Sequence, residues 1–237
     1  MNANRKIDLY DDGIGFVELV DYLGSDLSVV NSARVSFGSH KESIDKKDEK
    51  LIKYLVDHKH TSTLEHCIVT FRIKVPLFVR SQHHRHRTWS YNEISRRYTS
   101  VDLEFYEPTS FRTQHKSNRQ ASNSSENINP LIDVKSASGG NQADYLVKRH
   151  HASCVRLYNK LLDGGVCREQ ARGVLPQNMY TEYYASANLN NILKFIDLRV
   201  HSGAQWEIQK VALAILKIVS EIYPITVRSY KDTREEK

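Results

Sequence analysis

CIVTFRIKV, residues 67–75, alternates with a period of two. Cys67, Val69, Phe71, Ile73 and Val75 fall on one side, and Thr70, Arg72 and Lys74 fall on the other with Ile68. One side is therefore core and one is wet, the pattern of a strand in an antiparallel sheet. Upstream, residues 7–10 and 15–22 read as short strands, because GIGFVELVDYLG is rich in β-branched and aromatic residues and bounded by glycines. Ser25 or Asp26 can cap a helix running towards Val35. Residues 43–58 set Leu51, Ile52, Tyr54, Leu55 and Val56 among Lys and Asp, which suits an amphipathic helix. Downstream, Pro76 can open a helix at its first position, on which Gln82 and Arg85 lie about one turn apart.

Further along, residues 103–107 read as a strand and residues 144–162 as a helix stopped by Asp163-Gly164-Gly165. Residues 179–187 read as another strand, after which Asn188 caps a helix ending at Arg199. In GAQWEIQKVALAILKIVSEIY, Ile208, Val211, Ile215, Ile218 and Ile222 form a stripe for core packing, broad enough to serve a subunit contact as well. The closing REEK reads as a solvated tail. Residues 110–142, with SNRQASNSSENINP and SASGGNQ, are polar and poor in apolar side chains, so a mobile loop is expected there.

The 237 residues allow one large domain or two small ones. A hydrophobic fraction of 40% with a mean hydropathy of −0.54 allows a core in a soluble protein. Net charge is +6 and the pI near 9.1, which suits polyanionic ligands, nucleotides or nucleic acid alike. MNANRKIDLYDDG lacks the apolar core of a secretion signal, and no apolar run approaches the roughly 18 residues that cross a bilayer. Cys67, Cys154 and Cys167 have no CxxC spacing, so reduced thiols in a cytoplasmic protein are expected. Two histidine groups, His58, His60 and His66, and His83, His84 and His86, lack an HExxH arrangement, and no metal is expected.

The chemistry concentrates in RHRTWSYNEISRRY, residues 85–98. Arg85, His86, Arg87, Arg96 and Arg97 are opposed there by Glu93 and interleaved with Ser90, Asn92, Ser95, Trp89, Tyr91 and Tyr98. Every fixed cation is Arg, whose planar fork suits phosphate or a carbonyl edge and stacks on rings. Ordinary basic surface, a nucleic-acid-binding stripe and a pocket for a phosphorylated planar ligand all remain open on composition. A metal-dependent hydrolase built on the histidines is a further rival.

Written RHRxxSxNxxSxRY, the stretch resembles the signature of the flavin-dependent thymidylate synthases at every fixed position. The resemblance extends to ARVSF (residues 33–37), HTSTLEH (residues 60–66) and CREQARGVLPQNMYTEYYASANLNNILKFIDLR (residues 167–199). It implies an α/β (α+β) fold with a central, largely antiparallel sheet flanked by helices, in one domain over residues 1–237. It also implies conversion of dUMP to dTMP, with methylenetetrahydrofolate as carbon donor and reduced FAD, recharged by NADPH, as hydride source. Gln82, Arg85, Glu93, Ser95, Arg97, Arg172 and Arg199 become the dUMP contacts. Ser36, His60, Ser62, Glu65, Arg85, His86, Arg87, Asn188, Asn190 and Leu198 become the FAD contacts, with Arg34 also approaching the cofactor.

Arg199, Ser95 and His60 are nominated for catalysis, Arg199 by stabilising negative charge at the pyrimidine carbonyl edge. Ser95 is better suited to phosphate than to nucleophilic attack, since no His–carboxylate pair at a readable spacing would activate it. No cysteine nucleophile is required. Read without the family, Ser62 is a helix cap with Glu65 as its capping-box partner. The family's homotetramer, with sites shared between subunits, is implied too. Two positions depart from the family pattern. Asn190 stands where Arg is common, and Gly203 where a His is common, with His201 close by.

Overall fold

In the computed structural model, which describes residues 6–98, 103–119, 121–133 and 139–235, the five alternating side chains from Cys67 to Val75 are all fully buried. The chain runs β1 (Lys6–Asp8), β2 (Phe16–Leu23), α1 (Asp26–Arg34), α2 (Lys46–Asp57), β3 (Ile68–Pro76), α3 (Leu77–His83) and β4 (Ser90–Glu93). Then come β5 (Phe111–Gln114), β6 (Ser122–Ile128), β7 (Leu131–Ile132), β8 (Asn141–Gln142), α4 (Ala143–Asp163) and α5 (Arg168–Ala171). The chain closes with β9 (Tyr180–Asn188), α6 (Leu189–Val200), α7 (Trp206–Ile222) and α8 (Pro224–Glu235).

The main sheet has the order β1-β2-β3-β9-β4, and every pairing in it is antiparallel. Its inner face, including Val17, Leu19, Val69, Phe71, Ile73, Tyr183 and Ala185, joins one core with residues of α6, α7 and α8. The outer face is laced by polar cross-strand pairs. Arg72 reaches Glu182 at 2.5 Å and Glu18 at 3.1 Å, and Thr70 meets its register partner Ser186 at 2.9 Å. Such surface pairs contribute about 0.2–1 kcal/mol each, against about 1.5–3 for a fully buried large apolar side chain. Register is therefore set by the apolar side, since a one-residue slip would bring Arg72 and Lys74 into the core.

Several sequence expectations are corrected. Residues 103–107 make only an isolated bridge, Phe105 to Met179, rather than a strand. Residues 110–142 contain a two-stranded ladder, β5 with β6, and a second short one, β7 with β8; residues 120 and 134–138 lie outside the described residues. Pro76 is the cap before α3 rather than its first residue, and α3 stops at His83, so no helical turn joins Gln82 to Arg85. Arg234 and Glu235 of the expected solvated tail belong to a further helix, α8, which starts at Pro224.

α8 is fastened by a residue nearly two hundred positions upstream. The Asp26 carboxylate, itself buried, accepts from the backbone N–H groups of Ile225 and Thr226 (both 2.9 Å) and from the Thr226 hydroxyl (2.6 Å). Replacing Asp26 with Ala strands these donors in the core. The expected cost is about 2–4 kcal/mol, read as a melting temperature lower by about 5–10 °C, while Asn, which keeps one acceptor, recovers part of it. An unchanged melting temperature in Asp26→Ala would show that the cap carries no weight.

Candidate active site

The signature begins as a turn pinned from below. His83 and Trp89 sink into the core, Arg85 and Arg87 stay exposed, and His86 is half-buried. Between the sunken residues, His86 N–H donates to the His83 carbonyl (3.0 Å) and Trp89 N–H to the His86 carbonyl (3.3 Å). The Tyr91 hydroxyl lies within 2.8 and 3.1 Å of those same two carbonyl oxygens and clamps the turn. His83 Nδ1 meets the Tyr183 hydroxyl at 2.9 Å, and burial holds its imidazole neutral, well below its usual pKa.

Two groups of predicted residues assemble around this turn. The first lines a cavity of about 450 Å³, a size common for small-ligand sites. Glu93 and Ser95 from the signature enter it together with Arg172, which stands at the start of the 3-10 turn after α5. Arg80 and Arg96 also line it, so arginines from three parts of the chain border one cavity. Glu93 is already engaged, accepting from Arg80 Nε (3.1 Å) and the Thr181 hydroxyl (2.6 Å). It braces Arg80 rather than standing free.

Arg80 and Thr181 were not nominated from sequence, and Arg96 was counted among the signature's cations without being given a contact. Arg80 sits only two residues before Gln82, and Arg96 occupies an unspecified position inside the signature. Arg97 is half-exposed, with its guanidinium 3.6 Å from Glu169, and its N–H donates to Ser95 Oγ (3.3 Å). It does not line this cavity.

The second group is centred on Arg199, in the last turn of α6. Its Nε donates to His86 Nε2 (3.2 Å) and its terminal nitrogen to the Gln82 carbonyl oxygen (3.3 Å). Burial, then the Arg199 charge, push the His86 imidazole down to about 4, so it is neutral and accepts this hydrogen bond. Burial and the nearby Arg85 also lower the Arg199 pKa, but a guanidinium remains cationic. A partly desolvated cation held by neutral partners suits charge developing on a ligand oxygen.

The predicted flavin contacts divide. His60, Ser62 and Glu65 are exposed around a 3-10 turn, Thr61–Leu64, and not on a helix, so the expected capping box is absent; His60 is the turn's N-cap and Glu65 its C-cap. Glu65 instead accepts from Asn190 Nδ2 at 2.9 Å. Asn188 caps α6 as expected, its side chain accepting from Asn191 N–H (2.9 Å). Ser36 is exposed, Leu198 is an exposed apolar side chain beside Arg199, and Arg34 is committed to buried Asp48 (3.0 and 2.5 Å). His201 bends back so that its Nδ1 accepts from Gly203 N–H at 3.0 Å, and a Cβ at position 203 would meet that ring nitrogen at 3.2 Å. Its imidazole therefore lies against the position where the family pattern has a His.

The sequence model of the family described as thymidylate synthase complementing protein matches residues 18–225. The chain belongs to that family, the flavin-dependent thymidylate synthases. It is 42% identical over 218 residues to the flavin-dependent thymidylate synthase of Thermus thermophilus, covering 92% of this chain and 76% of that one. The enzyme of the same name from Thermosipho melanesiensis is 41% identical over 216 residues, covering 91% and 90%. Among solved structures, the UMP/dUMP methylase PolB from Streptomyces cacaoi bound with 5-Br dUMP superposes with a TM-score of 0.75 at 32% identity, covering 95% of this chain and 97% of that one.

The family name implies a flavin, and the apolar and cationic side chains near Asn190 fit one. Asn190 borders a cavity of about 460 Å³ lined by apolar Leu55, Leu64 and Leu193, by the cations Lys59, Lys194 and Arg234, and by the carboxylates Asp57 and Asp197. No group of three His, Cys, Asp or Glu positioned to hold a metal occurs among the described residues. Burial pushes the Cys67 thiol up to about 11, which makes it a poor nucleophile. No helix among the described residues is long and apolar enough to cross a membrane.

Proposed function

We propose that this chain is a flavin-dependent thymidylate synthase that converts dUMP to dTMP in the cytoplasm, as a homotetramer of one-domain subunits. The observation that carries the reading is the cavity in which signature residues Glu93 and Ser95 meet Arg172 from a distant block. It is joined to the family match over residues 18–225. FAD, when bound, supplies the hydride, NADPH restores it, and methylenetetrahydrofolate supplies the carbon.

The protein's own part is positioning and electrostatics. Arg80, Arg96 and Arg172 receive the phosphate, with Ser95 Oγ as a neutral partner; Arg97 joins them from the cavity's edge. Arg85 and Gln82 extend the nucleotide contacts towards Arg199. Arg199 faces the pyrimidine carbonyl edge and stabilises the negative charge that develops when C6 accepts hydride and C5 becomes nucleophilic. His60, Ser62, Glu65, Asn188 and Asn190 hold the flavin from one side, and His86, Arg87, Ser36 and Leu198 from another.

The test is direct. Purified protein supplied with FAD should show flavin absorbance that NADPH bleaches without oxygen, and should form dTMP only when dUMP and methylenetetrahydrofolate are both present. A colourless protein that binds DNA with a steep salt dependence and makes no dTMP would replace this reading with the nucleic-acid one.

A further inference from the structure

We propose that buried Glu207, which lies outside the nucleotide contacts, decides which end of the Gln82 amide faces the nucleotide. The inference rests on the reading above, in which Gln82 contacts dUMP, and concerns how that contact is prepared. Glu207 opens α7 and is almost wholly enclosed. Its carboxylate receives two N–H bonds from Arg112 on β5 (2.8 and 2.9 Å) and the Tyr106 hydroxyl (3.2 Å), so its orientation is fixed from the hairpin side. The remaining contact, at Oε2, comes from Gln205 Nε2 at 2.9 Å.

A carboxylate accepts and does not donate, so Gln205 must turn its NH2 group towards Glu207. Its carbonyl oxygen then points the other way and accepts from Gln82 Nε2. Among the described residues that leaves the Gln82 side-chain carbonyl oxygen uncommitted, while its backbone carbonyl receives Arg199 (3.3 Å). The two ends of a glutamine amide differ little in shape, so without a fixed acceptor at the head of this relay either end could face the ligand. With Glu207 in place, Gln82 offers an acceptor, and the matching group on the nucleotide is a donor. The pyrimidine N3–H and the sugar 3′-hydroxyl are the two donors of dUMP outside its phosphate. Glu207 is thus a positioning residue, acting through Gln205.

The experiment compares binding of dUMP, N3-methyl-dUMP and 2′,3′-dideoxyuridine monophosphate to the flavin-loaded wild-type protein and to Glu207→Gln and Gln205→Leu. Glu207→Gln gives the relay a head that can also donate, and Gln205→Leu cuts the relay without leaving a charge buried. Wild type should bind one analogue at least about tenfold more weakly than dUMP, and both variants should shrink that preference to within about threefold. A purely structural role would weaken all three ligands together. Wild type discriminating against neither analogue, or variants keeping the full preference, overturns the inference. If Glu207→Gln fails to fold, Gln205→Leu alone decides. Wild type failing to bind dUMP at all would instead sink the proposed function.

Discussion

Replacing Arg172 with Ala raises the dissociation constant for dUMP about 100-fold while leaving flavin content unchanged. Arg172 lines the cavity with Arg80 and Arg96, and it is exposed in the chain taken by itself. It is not part of the core, so its removal does not disturb the fold. Losing one charge-assisted, two-pronged contact to phosphate costs about 2–3 kcal/mol, and each 1.4 kcal/mol is about tenfold in affinity. Lys at this position keeps the charge but not the fork, and should recover about tenfold of the loss. Titration with dUMP, followed by flavin absorbance or calorimetry, gives the answer. An affinity within threefold of wild type would remove Arg172 from the phosphate site.

Arg199→Ala behaves differently, because its cation is placed for charge that appears only as the reaction proceeds. The expected result is a fall in kcat of about 100- to 1000-fold, with dUMP affinity reduced less than tenfold. Single-turnover formation of dTMP separates the two effects. A loss confined to binding, with kcat intact, would move Arg199 from the reacting carbonyl to ground-state recognition. Part of the fall follows from losing the hydrogen bonds to His86 and the Gln82 carbonyl, which hold two neighbouring contacts in place. Arg199→Lys tests that share, since Lys keeps the charge without the planar fork.

Much of this was readable in the sequence where one force dominates. The alternation of Cys67 to Val75 and the cap at Asn188 are local, and tertiary packing agrees with both. Residues 103–107 failed as a strand because edge pairing depends on a partner, and Phe105 finds only Met179. Ser62 and Glu65 carried the spacing of a capping box, but the turn at Thr61–Leu64 gives way to β3 before a helix can grow. α8 was missed because proline both stops helices and starts them, and the signal for a start, Asp26, lies far away in the chain.

The site followed the same rule. A fixed motif position nominated Ser95, the family resemblance added Glu93 beside it, and a second block nominated Arg172. Which arginines actually line the cavity depends on α3, β4 and α5 meeting in space. The place of Arg80 and Arg96 in the cavity lining therefore emerged only from the fold, and so did the absence of Arg97 from it. The Gln82–Gln205–Glu207 relay has no local signature at all, since its first two members lie more than a hundred residues apart.

The central position of β9 also sets an order of events at the ribosome. The signature strand β4 pairs in this sheet with β9, which is synthesised nearly ninety residues later. At about 5–20 residues per second, β4 therefore waits on the order of 4–18 s for its partner, and β3, which precedes it, keeps one edge bare for at least as long. A growing chain that stalls before Tyr180 carries every residue of the motif without the strand that β3 and β4 both pair with, and its open strand edge is a natural target for chaperones or for aggregation.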